Sequence, residues 1–412
     1  MTDSRTSSRA FDVAAVRSHF PALQNGAAHF DGPGGTQTPD VVAQAVYDTL
    51  TGPLANRGSN SLAERNAEAA VAGCRAAVGD LLGVDPTGVI FGRSMSQNTF
   101  DIARTMAKKW GPGDEVVVSR LDHDSNVRSW VSAAERVGAT VRFADFDPGT
   151  GELDPTQIEK VLTPSTRLVA VTAASNLIGT MPDLPAIAER VHSAGAWLYV
   201  DGVHYTAHVP VDVAELGADF FACSPYKFLG PHCGVVYGRP DLLEQLEPDK
   251  LLPAPDNVPE RFELGTLPYE AMAGTTAAID FLSEMASGDA GPGASRRERL
   301  VSSMAALEAY EDQLRDRIES SLLDLPGVTL HSRATRRTPT LLVTFADHNP
   351  QEVGKFLAAA GVNAPAGSFY AYEASRRLGL GHAGGLRIGL APYNDDSDVD
   401  RLLSALVGYF ES

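Results

Sequence analysis

The sequence of 412 residues has few cysteines, no long apolar run and a deficit of positive charge. Its three cysteines, Cys74, Cys223 and Cys233, form no CxxC pair, which argues against a disulfide framework and a structural zinc site. No apolar run reaches the length of a membrane span, and Met1–Arg9 leads into no signal-type apolar stretch. We therefore expect no metal, no membrane association and a cytoplasmic location.

The charge balance also narrows the choice of partners. The chain carries 34 basic and 52 acidic side chains, a formal net charge of −18. Proteins that bind nucleic-acid backbones use lysine and arginine surfaces, so nucleic acid is excluded as an expected partner. Hydrophobic residues make up 43% of the chain, which at this length is enough for two domains with separate cores.

Helix-like and strand-like segments alternate through most of the chain. Apolar residues at helical spacing predict helices over Val41–Leu50 and Ala63–Leu82. Short β-rich runs then predict seven strands, at Gly88–Phe91, Glu115–Ser119, Thr140–Phe143, Arg167–Thr172, Trp197–Val200, Phe220–Cys223 and Gly234–Tyr237. This alternation predicts a doubly wound α/β fold with a mostly parallel sheet. The last two strands are too close for a helical crossover, which predicts one antiparallel strand at that end.

A second, smaller domain is predicted after a segment rich in helix breakers, Ser287–Ser295. It begins with an amphipathic helix over Arg297–Leu322 and continues with the predicted elements Val328–His331, Thr340–Phe345, Gln351–Ala360 and Asp396–Phe410. We divide the chain into an N-terminal segment (1–29) that packs on the small domain, a large domain (30–287) and a small α+β domain (288–412).

Lys227 is the residue that most strongly indicates a chemistry. It lies in the apolar and aromatic run Phe220–Pro231, shortly after a predicted strand that ends at Asp201. Desolvation lowers the pKa of an amine, and a neutral amine can form a Schiff base with an aldehyde. Pyridoxal 5'-phosphate (PLP) is such an aldehyde, and it needs a carboxylate against its pyridine nitrogen, for which Asp201 is the candidate.

Several further segments stand in the order and spacing of one enzyme family. They are Phe91–Asn98, Leu121–Asn126, Ala174–Asn176, Val200–His204, Ser224–Lys227, Glu263–Thr266 and Leu386–Asn394. From Phe30 to about Leu406 the chain resembles the class V aminotransferase-type PLP enzymes of fold type I, and more closely the cysteine desulfurases and selenocysteine lyases. The resemblance implies a fold-type-I PLP-dependent transferase fold with a large PLP-binding domain.

The resemblance assigns four residues to the PLP ring. Asp201 takes the place of the aspartate at the pyridine nitrogen, and His204 that of a polar residue near the phenolic oxygen. Asn176 matches the asparagine that hydrogen-bonds this oxygen. His123 matches a histidine that stacks on the ring and shuttles protons, a role that suits a side chain titrating near neutrality. Without a cofactor, Asp201 could instead cap the helix that follows its strand, and His123 could be a polar surface residue.

Five residues lie where the family binds the PLP phosphate. Ser94, Met95 and Ser96 begin a predicted helix, whose backbone N–H groups form an anion site. A serine cap for the helix would use the same donors. Met95 replaces a hydroxyl residue usual in desulfurases, so only its N–H can take part. Ser224 and Tyr226 precede the lysine, and Tyr226 replaces a more usual histidine.

The remaining implied residues concern the substrate and a partner subunit. Arg387 matches the arginine that binds the substrate α-carboxylate, and a buried structural salt bridge is the alternative. Thr266 matches a threonine that binds the PLP phosphate in the active site of the partner subunit. The resemblance therefore implies a homodimer with shared active sites. Asn56 and Arg57 match a loop that reaches the substrate, across the dimer.

The chain departs from the desulfurases at one loop. Their persulfide-forming cysteine lies on a flexible loop that corresponds to Ala364–Ala371, which contains no cysteine. Ser368, Phe369 and Tyr370 stand there instead, and we expect them to shape the substrate pocket.

The leading hypothesis is therefore a lyase acting on an amino acid through an external aldimine, with C–S cleavage and no persulfide cysteine. An epimerase, or a C–C bond-forming or decarboxylating enzyme, on the same scaffold is the alternative. A third hypothesis, from a different functional class, is that the chain is a non-catalytic scaffold protein of the same fold.

Overall fold

A seven-stranded sheet forms the centre of the computed structural model, which describes residues 11–286, 290–291 and 293–411. The strands of the described part, in chain order, are β1 Ala28–His29, β2 Val89–Gly92, β3 Glu115–Ser119, β4 Thr140–Ala144, β5 Thr166–Thr172, β6 Trp197–Asp201, β7 Phe220–Cys223, β8 Gly234–Gly238, β9 Val328–Leu330, β10 Thr340–Phe345, β11 Val362–Asn363, β12 Ala366–Gly367 and β13 Gly385–Gly389. All seven strands predicted for the large sheet form, with ends within one residue of the prediction.

The five helices predicted above form with ends within one residue of the prediction, and the described part of the chain has thirteen α-helices in all. They are α1 Val13–Arg17, α2 Asp40–Thr51, α3 Leu62–Leu82, α4 Met95–Ala107, α5 Ser125–Val137, α6 Pro155–Glu159, α7 Leu184–Ser193, α8 Pro240–Leu243, α9 Tyr269–Glu284, α10 Arg296–Leu323, α11 Pro350–Ala359, α12 Tyr372–Arg377 and α13 Asp396–Glu411. Reciprocal capping boxes begin α3 (Ser61 with Glu64) and α10 (Ser295 with Glu298), which satisfies the free N–H groups there. No described helix is long and apolar enough to span a membrane.

The order of strands in the large sheet is β2-β8-β7-β6-β5-β3-β4. Strand β8 is antiparallel to both of its neighbours, and the other neighbouring pairs are parallel. The predicted antiparallel strand is thus confirmed, one position in from the edge. Because β8 is antiparallel to both β2 and β7, β2 runs parallel to β7 and the other parallel strands. The carboxyl end of β2 therefore lies at the same edge of the sheet as theirs.

Helices cover both faces of this sheet, so its strands other than the edge strand β4 are largely buried on both sides. Within β3, Val117 packs on the face that carries α3, α7 and α9, whereas Val116 and Val118 pack on the face that carries α4 and α5. Side chains of a strand alternate between faces, so a continuous apolar run is what a doubly wound sheet requires. The predicted fold class is confirmed.

The C-terminal part has its own antiparallel sheet, in the order β12-β13-β10-β9, packed with α10, α11 and α13 around a separate core. Strand β1 pairs in parallel with β11 through Ala28 and Val362, which ties the N-terminal region to this part. The predicted boundary at 287/288 lies outside the described residues, as do residues 1–10, 289 and 292. The division into three segments stays a prediction.

Candidate active site

A cavity of about 590 Å³ opens at the carboxyl edge of the large sheet. Asp201 ends β6, and Ser94, His123, Asn176 and Ser224 follow β2, β3, β5 and β7. The carboxyl ends of parallel strands meet at one edge, which is where open α/β sheets place their ligands. Five segments far apart in sequence therefore bring polar side chains into one cavity.

Thirteen of the predicted site residues line this cavity: Ser94, Met95, Ser96, His123, Asn176, Asp201, His204, Ser224, Tyr226, Lys227, Phe369, Tyr370 and Arg387. Four predicted residues are not among its lining: Thr266, Asn56, Arg57 and Ser368. Lining residues without a predicted role include Phe100, Asp124 and Arg128. A helical count would have found Phe100, because it lies one turn beyond the predicted Ser96 on α4.

Lys227 lies at the end of a short 3-10 turn, Pro225–Lys227, with its Nζ atom donating to the Pro33 carbonyl. Its Nζ is 4.9 Å from the ring centre of Tyr226. Burial, and then the positive charge of Arg387, lowers the pKa of Lys227 to about 7. The depressed pKa expected from the apolar neighbours is confirmed, and much of the amine is neutral at physiological pH.

Asp201 is almost fully buried, and its Oδ1 accepts a hydrogen bond of 3.0 Å from the Val203 N–H. Burial raises the pKa of Asp201 to about 6. A cationic group opposite the carboxylate would lower this pKa again, because an opposite charge favours the ionised form. The site therefore suits a protonated ring nitrogen.

His123 is held by Ser125. The Ser125 N–H donates to Nδ1 at 3.1 Å, and the Ser125 hydroxyl lies 2.8 Å from the same atom. Burial, and then the charges of Lys227 and Arg387, lowers the pKa of His123 to about 4. The expectation that this side chain titrates near neutrality is wrong, because the fold buries the ring and brings both cations to it from distant segments. His123 is neutral at pH 7, with its proton on Nε2, and can act as a donor there.

The predicted anion site lies at the first turn of α4. The Ser94 hydroxyl caps the helix by accepting from the Gln97 N–H at 3.2 Å. The Met95 side chain is buried in the core, as its apolar character requires, with its sulfur 3.7 Å from the Ser125 hydroxyl. Ser224 is buried in the lining of the same cavity, and the Tyr226 ring stacks on His232 with the ring centres 4.7 Å apart.

Asn176, Arg387 and Phe369 form one contact set at the outer wall. The Asn176 Nδ2 donates to the Phe369 carbonyl at 2.8 Å, and an Arg387 N–H donates to the Asn176 carbonyl at 2.9 Å. Arg387 is buried, and burial lowers its pKa to about 9. Its Nε and the Asn176 Oδ1 have no hydrogen-bond partner among the described residues. The alternative of a structural salt bridge for Arg387 finds no support there.

The loop Ala364–Ala371 is fixed at both sides of its tip. Besides the Asn176 contact, the Asp124 N–H donates to the Tyr370 carbonyl at 2.7 Å. Phe369 and Tyr370 have φ angles of 50° and 58°, so the tip turns sharply in the left-handed region. Ser368 lies in this turn and outside the cavity lining.

The three cysteines are all free and buried, away from the cavity lining. Burial raises the pKa of Cys223, and raises that of Cys233 to about 11. Thiols with such pKa values carry almost no thiolate at neutral pH, so they are inert. The predicted structural role of these residues agrees with their environment.

Arg57 and Thr266 line a separate surface groove. Arg57 makes a bidentate ion pair with Glu68, with both N···O distances at 2.9 Å, and lies 3.4 Å from Glu260. Within one chain, these residues and Asn56 do not approach Lys227's cavity. Their predicted roles require a second subunit and stay predictions.

His204 lines the cavity at its inner end, where its Nε2 lies 2.9 and 3.0 Å from the hydroxyls of Thr338 and Thr340. These two threonines come from the C-terminal part of the chain. His204 thus connects the predicted PLP site to that part through side-chain hydrogen bonds.

Comparison with known proteins agrees with this geometry. The family model of aminotransferase class V matches residues 28–402. An uncharacterized protein of Mycobacterium tuberculosis is 35% identical, over 96% of this chain and 99% of its own length. A probable cysteine desulfurase of Mycolicibacterium paratuberculosis is 33% identical over 96% of this chain, which spans only 58% of that longer protein. The crystal structure of the Escherichia coli cysteine desulfurase CsdA superposes with a TM-score of 0.85 at 27% identity, covering 98% of this chain and 99% of that one.

Proposed function

We propose that this chain, which belongs to the aminotransferase class-V family of PLP-dependent enzymes, is a cysteine desulfurase-like lyase that cleaves the C–S bond of an amino acid without a persulfide-forming cysteine. One observation carries the proposal. The loop Ala364–Ala371 places Phe369 and Tyr370, and no thiol, in the wall of a cavity that otherwise gathers an amine, a carboxylate and a helix N-terminus.

The residues of the cavity fit PLP. Lys227 offers an amine for the aldehyde, Asp201 a carboxylate for the ring nitrogen, and the first turn of α4 an anion site for the phosphate. The Asn176 Oδ1 and Arg387 Nε are buried polar atoms without partners among the described residues, as expected where a polar ligand binds. Bound there, PLP supplies an electron sink for the negative charge that develops at the substrate α-carbon.

Lys227 and His123 carry the proton transfers in this proposal. With a pKa of about 7, the Lys227 amine is basic enough to remove the α-proton and neutral often enough to do so at physiological pH. His123 keeps a proton on Nε2, and it is the candidate donor to the sulfur that leaves.

Arg387 is the candidate group for the substrate α-carboxylate. Its guanidinium is buried, has a free Nε among the described residues and is held by the Asn176 carbonyl and the Phe369 ring. A carboxylate that binds there would satisfy the free N–H and gain charge-assisted hydrogen bonds. This contact would orient the substrate before any bond breaks.

The fate of the sulfur follows from the absence of an acceptor thiol. If the electron pair of the C–S bond stays on sulfur, sulfur leaves as sulfide and needs only a proton. Cysteine and water would then give hydrogen sulfide, pyruvate and ammonia. An acceptor thiolate would be required only if sulfur left without that electron pair, and Cys223 and Cys233 are buried and protonated.

We also propose a homodimer. The groove lined by Arg57 and Thr266 is open in the single chain. The segment 251–266, which forms part of this groove, also carries three exposed leucines, Leu251, Leu252 and Leu264, which are 63%, 97% and 57% exposed. Exposed apolar side chains beside a polar groove are typical of a subunit interface. Light scattering of the purified protein tests this proposal, and a monomer at micromolar concentration would contradict it.

The proposed function is tested with purified protein and PLP. We expect a PLP absorbance band that is lost in Lys227→Ala and kept in the control Lys109→Ala, whose side chain is on the surface. With L-cysteine, cystine and a panel of amino acids, sulfide should appear together with pyruvate. Solvent-deuterium exchange at the α-carbon without sulfide would favour the epimerase alternative, and sulfide formation abolished in Cys223→Ser would show that a thiol takes part.

A further inference from the structure

A row of three ionisable side chains, His204, His208 and Glu311, lies beside Lys227. Glu311 of α10 accepts a hydrogen bond of 2.8 Å from Nδ1 of His208. The His208 ring packs edge to face against His204, with the ring centres 4.8 Å apart. The side chains of His208 and Glu311 are only 4% and 1% exposed. The catalytic roles proposed above use none of these contacts.

A second, small cavity connects this row to the lysine. Its volume is about 10 Å³, and Lys227, His204 and His208 line it together with Thr36. A cavity of about 10–15 Å³ with two to four polar groups around it is the smallest that accommodates one water molecule. The position and size of the cavity suit a proton path of a single water between Nζ of Lys227 and the ring of His208.

Glu311 is unusual for a structural residue. Its Oε1 is buried with no hydrogen-bond partner among the described residues, although burying a carboxylate is costly. Burial raises the pKa of Glu311. A carboxylate that holds Nδ1–H of a buried histidine leaves Nε2 of that ring free to accept a proton, and it stabilises the imidazolium that results.

The other groups around the row favour His208 over His204 as the proton acceptor. Burial, and then His208 and Lys227, holds the pKa of His204 far below its usual range, and hydroxyl groups occupy its Nε2. The further charged or titratable groups near the row and the lysine are Asp201, Glu308, Asp312, Arg387 and Tyr393. The rest of the small cavity's wall is uncharged.

We infer that His208 and Glu311 form a buried dyad that accepts the ammonium proton of Lys227 and so sets the amine free for reaction. This inference rests on the proposed role of Lys227 as the PLP-binding amine. His208 acts on Lys227 through the small cavity, and Glu311 is a positioning residue that acts through His208.

The proton step is balanced. At the start, Lys227 is an ammonium, His208 is neutral with its proton on Nδ1, and Glu311 is a carboxylate. One proton moves from Nζ to Nε2 of His208, which leaves a neutral amine and an imidazolium paired with the same carboxylate. The buried group carries one positive and one negative charge before and after, so the transfer separates no additional charge in the low-dielectric interior.

The experiment measures how fast the apoprotein takes up PLP, followed by absorbance, from about pH 6 to pH 9. It compares the wild type with Glu311→Gln, which keeps a hydrogen-bond acceptor and removes the charge, and with His208→Gln. Glu135→Gln is the control, because it removes an exposed carboxylate on α5, a helix that does not carry the dyad. Thermal unfolding of each variant reports whether the fold is intact.

In both dyad variants we expect uptake to slow by up to about tenfold at pH 6, because with a pKa of about 7 roughly a tenth of the Lys227 amine is already neutral there. At pH 9 uptake should hardly change, because the Lys227 amine is already neutral. The control should match the wild type at every pH.

Three outcomes would overturn the inference. Faster uptake at low pH in Glu311→Gln would mean that the carboxylate only raises the pKa of Lys227 by its charge. Equal slowing at every pH with a lower melting temperature would mean a structural role, and no change would mean no role. If the wild type takes up no PLP through Lys227, the proposed function itself fails, and this result is separate from the other three.

Discussion

The guanidinium of Arg387 lies 3.7 Å from the centre of the Phe369 ring. This places a buried cation against the aromatic side chain of the loop that replaces the desulfurase cysteine loop. A cation over a ring face is stabilised by the ring quadrupole. The contact joins the candidate carboxylate-binding residue to the candidate substrate loop, so changes in either residue should alter substrate binding.

Arg387→Lys should raise the KM for amino acids with little effect on PLP uptake. Lysine cannot offer two parallel N–H groups to a carboxylate, and a lost charge-assisted bond costs about 1.5–3 kcal/mol, or roughly 10- to 100-fold in KM. Steady-state kinetics measure this change. Arg376→Lys, at an exposed position of α12, should behave as the wild type. A normal KM in Arg387→Lys would place the carboxylate elsewhere.

Lys227→Met should stabilise the apoprotein, mostly below pH 7. The pKa of Lys227 is lowered from 10.5 to about 7 by burial, so the unfolded state binds the proton more tightly than the folded state. The cost of the buried ammonium is therefore full below about pH 7, shrinks as the pH rises, and is absent above about pH 10.5.

Urea unfolding of the apoprotein at pH 6 and pH 10.5 measures this difference. We expect a gain of a few kcal/mol at the lower pH and much less at the higher pH. Lys109→Met, at an exposed position, should show no such pH dependence. The same gain at both pH values would show that packing, not charge burial, explains the stabilisation.

Glu373→Gln should loosen the substrate loop. The Glu373 carboxylate pairs with Arg120 at 2.7 Å and also with Arg128, and its side chain is only 11% exposed. Removing its charge leaves two cations less compensated, at a cost of about 1–3 kcal/mol. Hydrogen exchange should become faster at residues 368–372. Glu352→Gln breaks an exposed pair with Lys355 and should change stability by less than about 0.5 kcal/mol.

Alkylating reagents should leave native enzyme activity unchanged. The three thiols are buried, and burial raises their pKa values, so little thiolate is available. A thiol-reactive dye should label none of them in the native protein and all three in denaturant. Loss of sulfide release after alkylation of the native protein would argue for a catalytic cysteine.

Much of the fold was predictable because it depends on local patterns. The run Glu115–Ser119 is apolar on both faces, as a strand between two helical layers must be, and its predicted ends agree with β3. The antiparallel β8 followed from a connection too short for a helix. Pairing such as that of β1 with β11 was not predicted, because two-residue strands carry no periodicity of their own.

The sequence by itself determined that the first turn of a helix, a carboxylate and an amine stand at the ends of β2, β6 and β7, and strand direction alone brings such positions to one edge. Only the tertiary structure decided how these groups ionise and what they contact. Burial, and then the charges of Lys227 and Arg387, lowers the pKa of His123, and Glu311 reaches His208 across 103 positions of the chain. Burial and Coulomb interactions depend on distances in space, and residue types along a chain do not specify those distances.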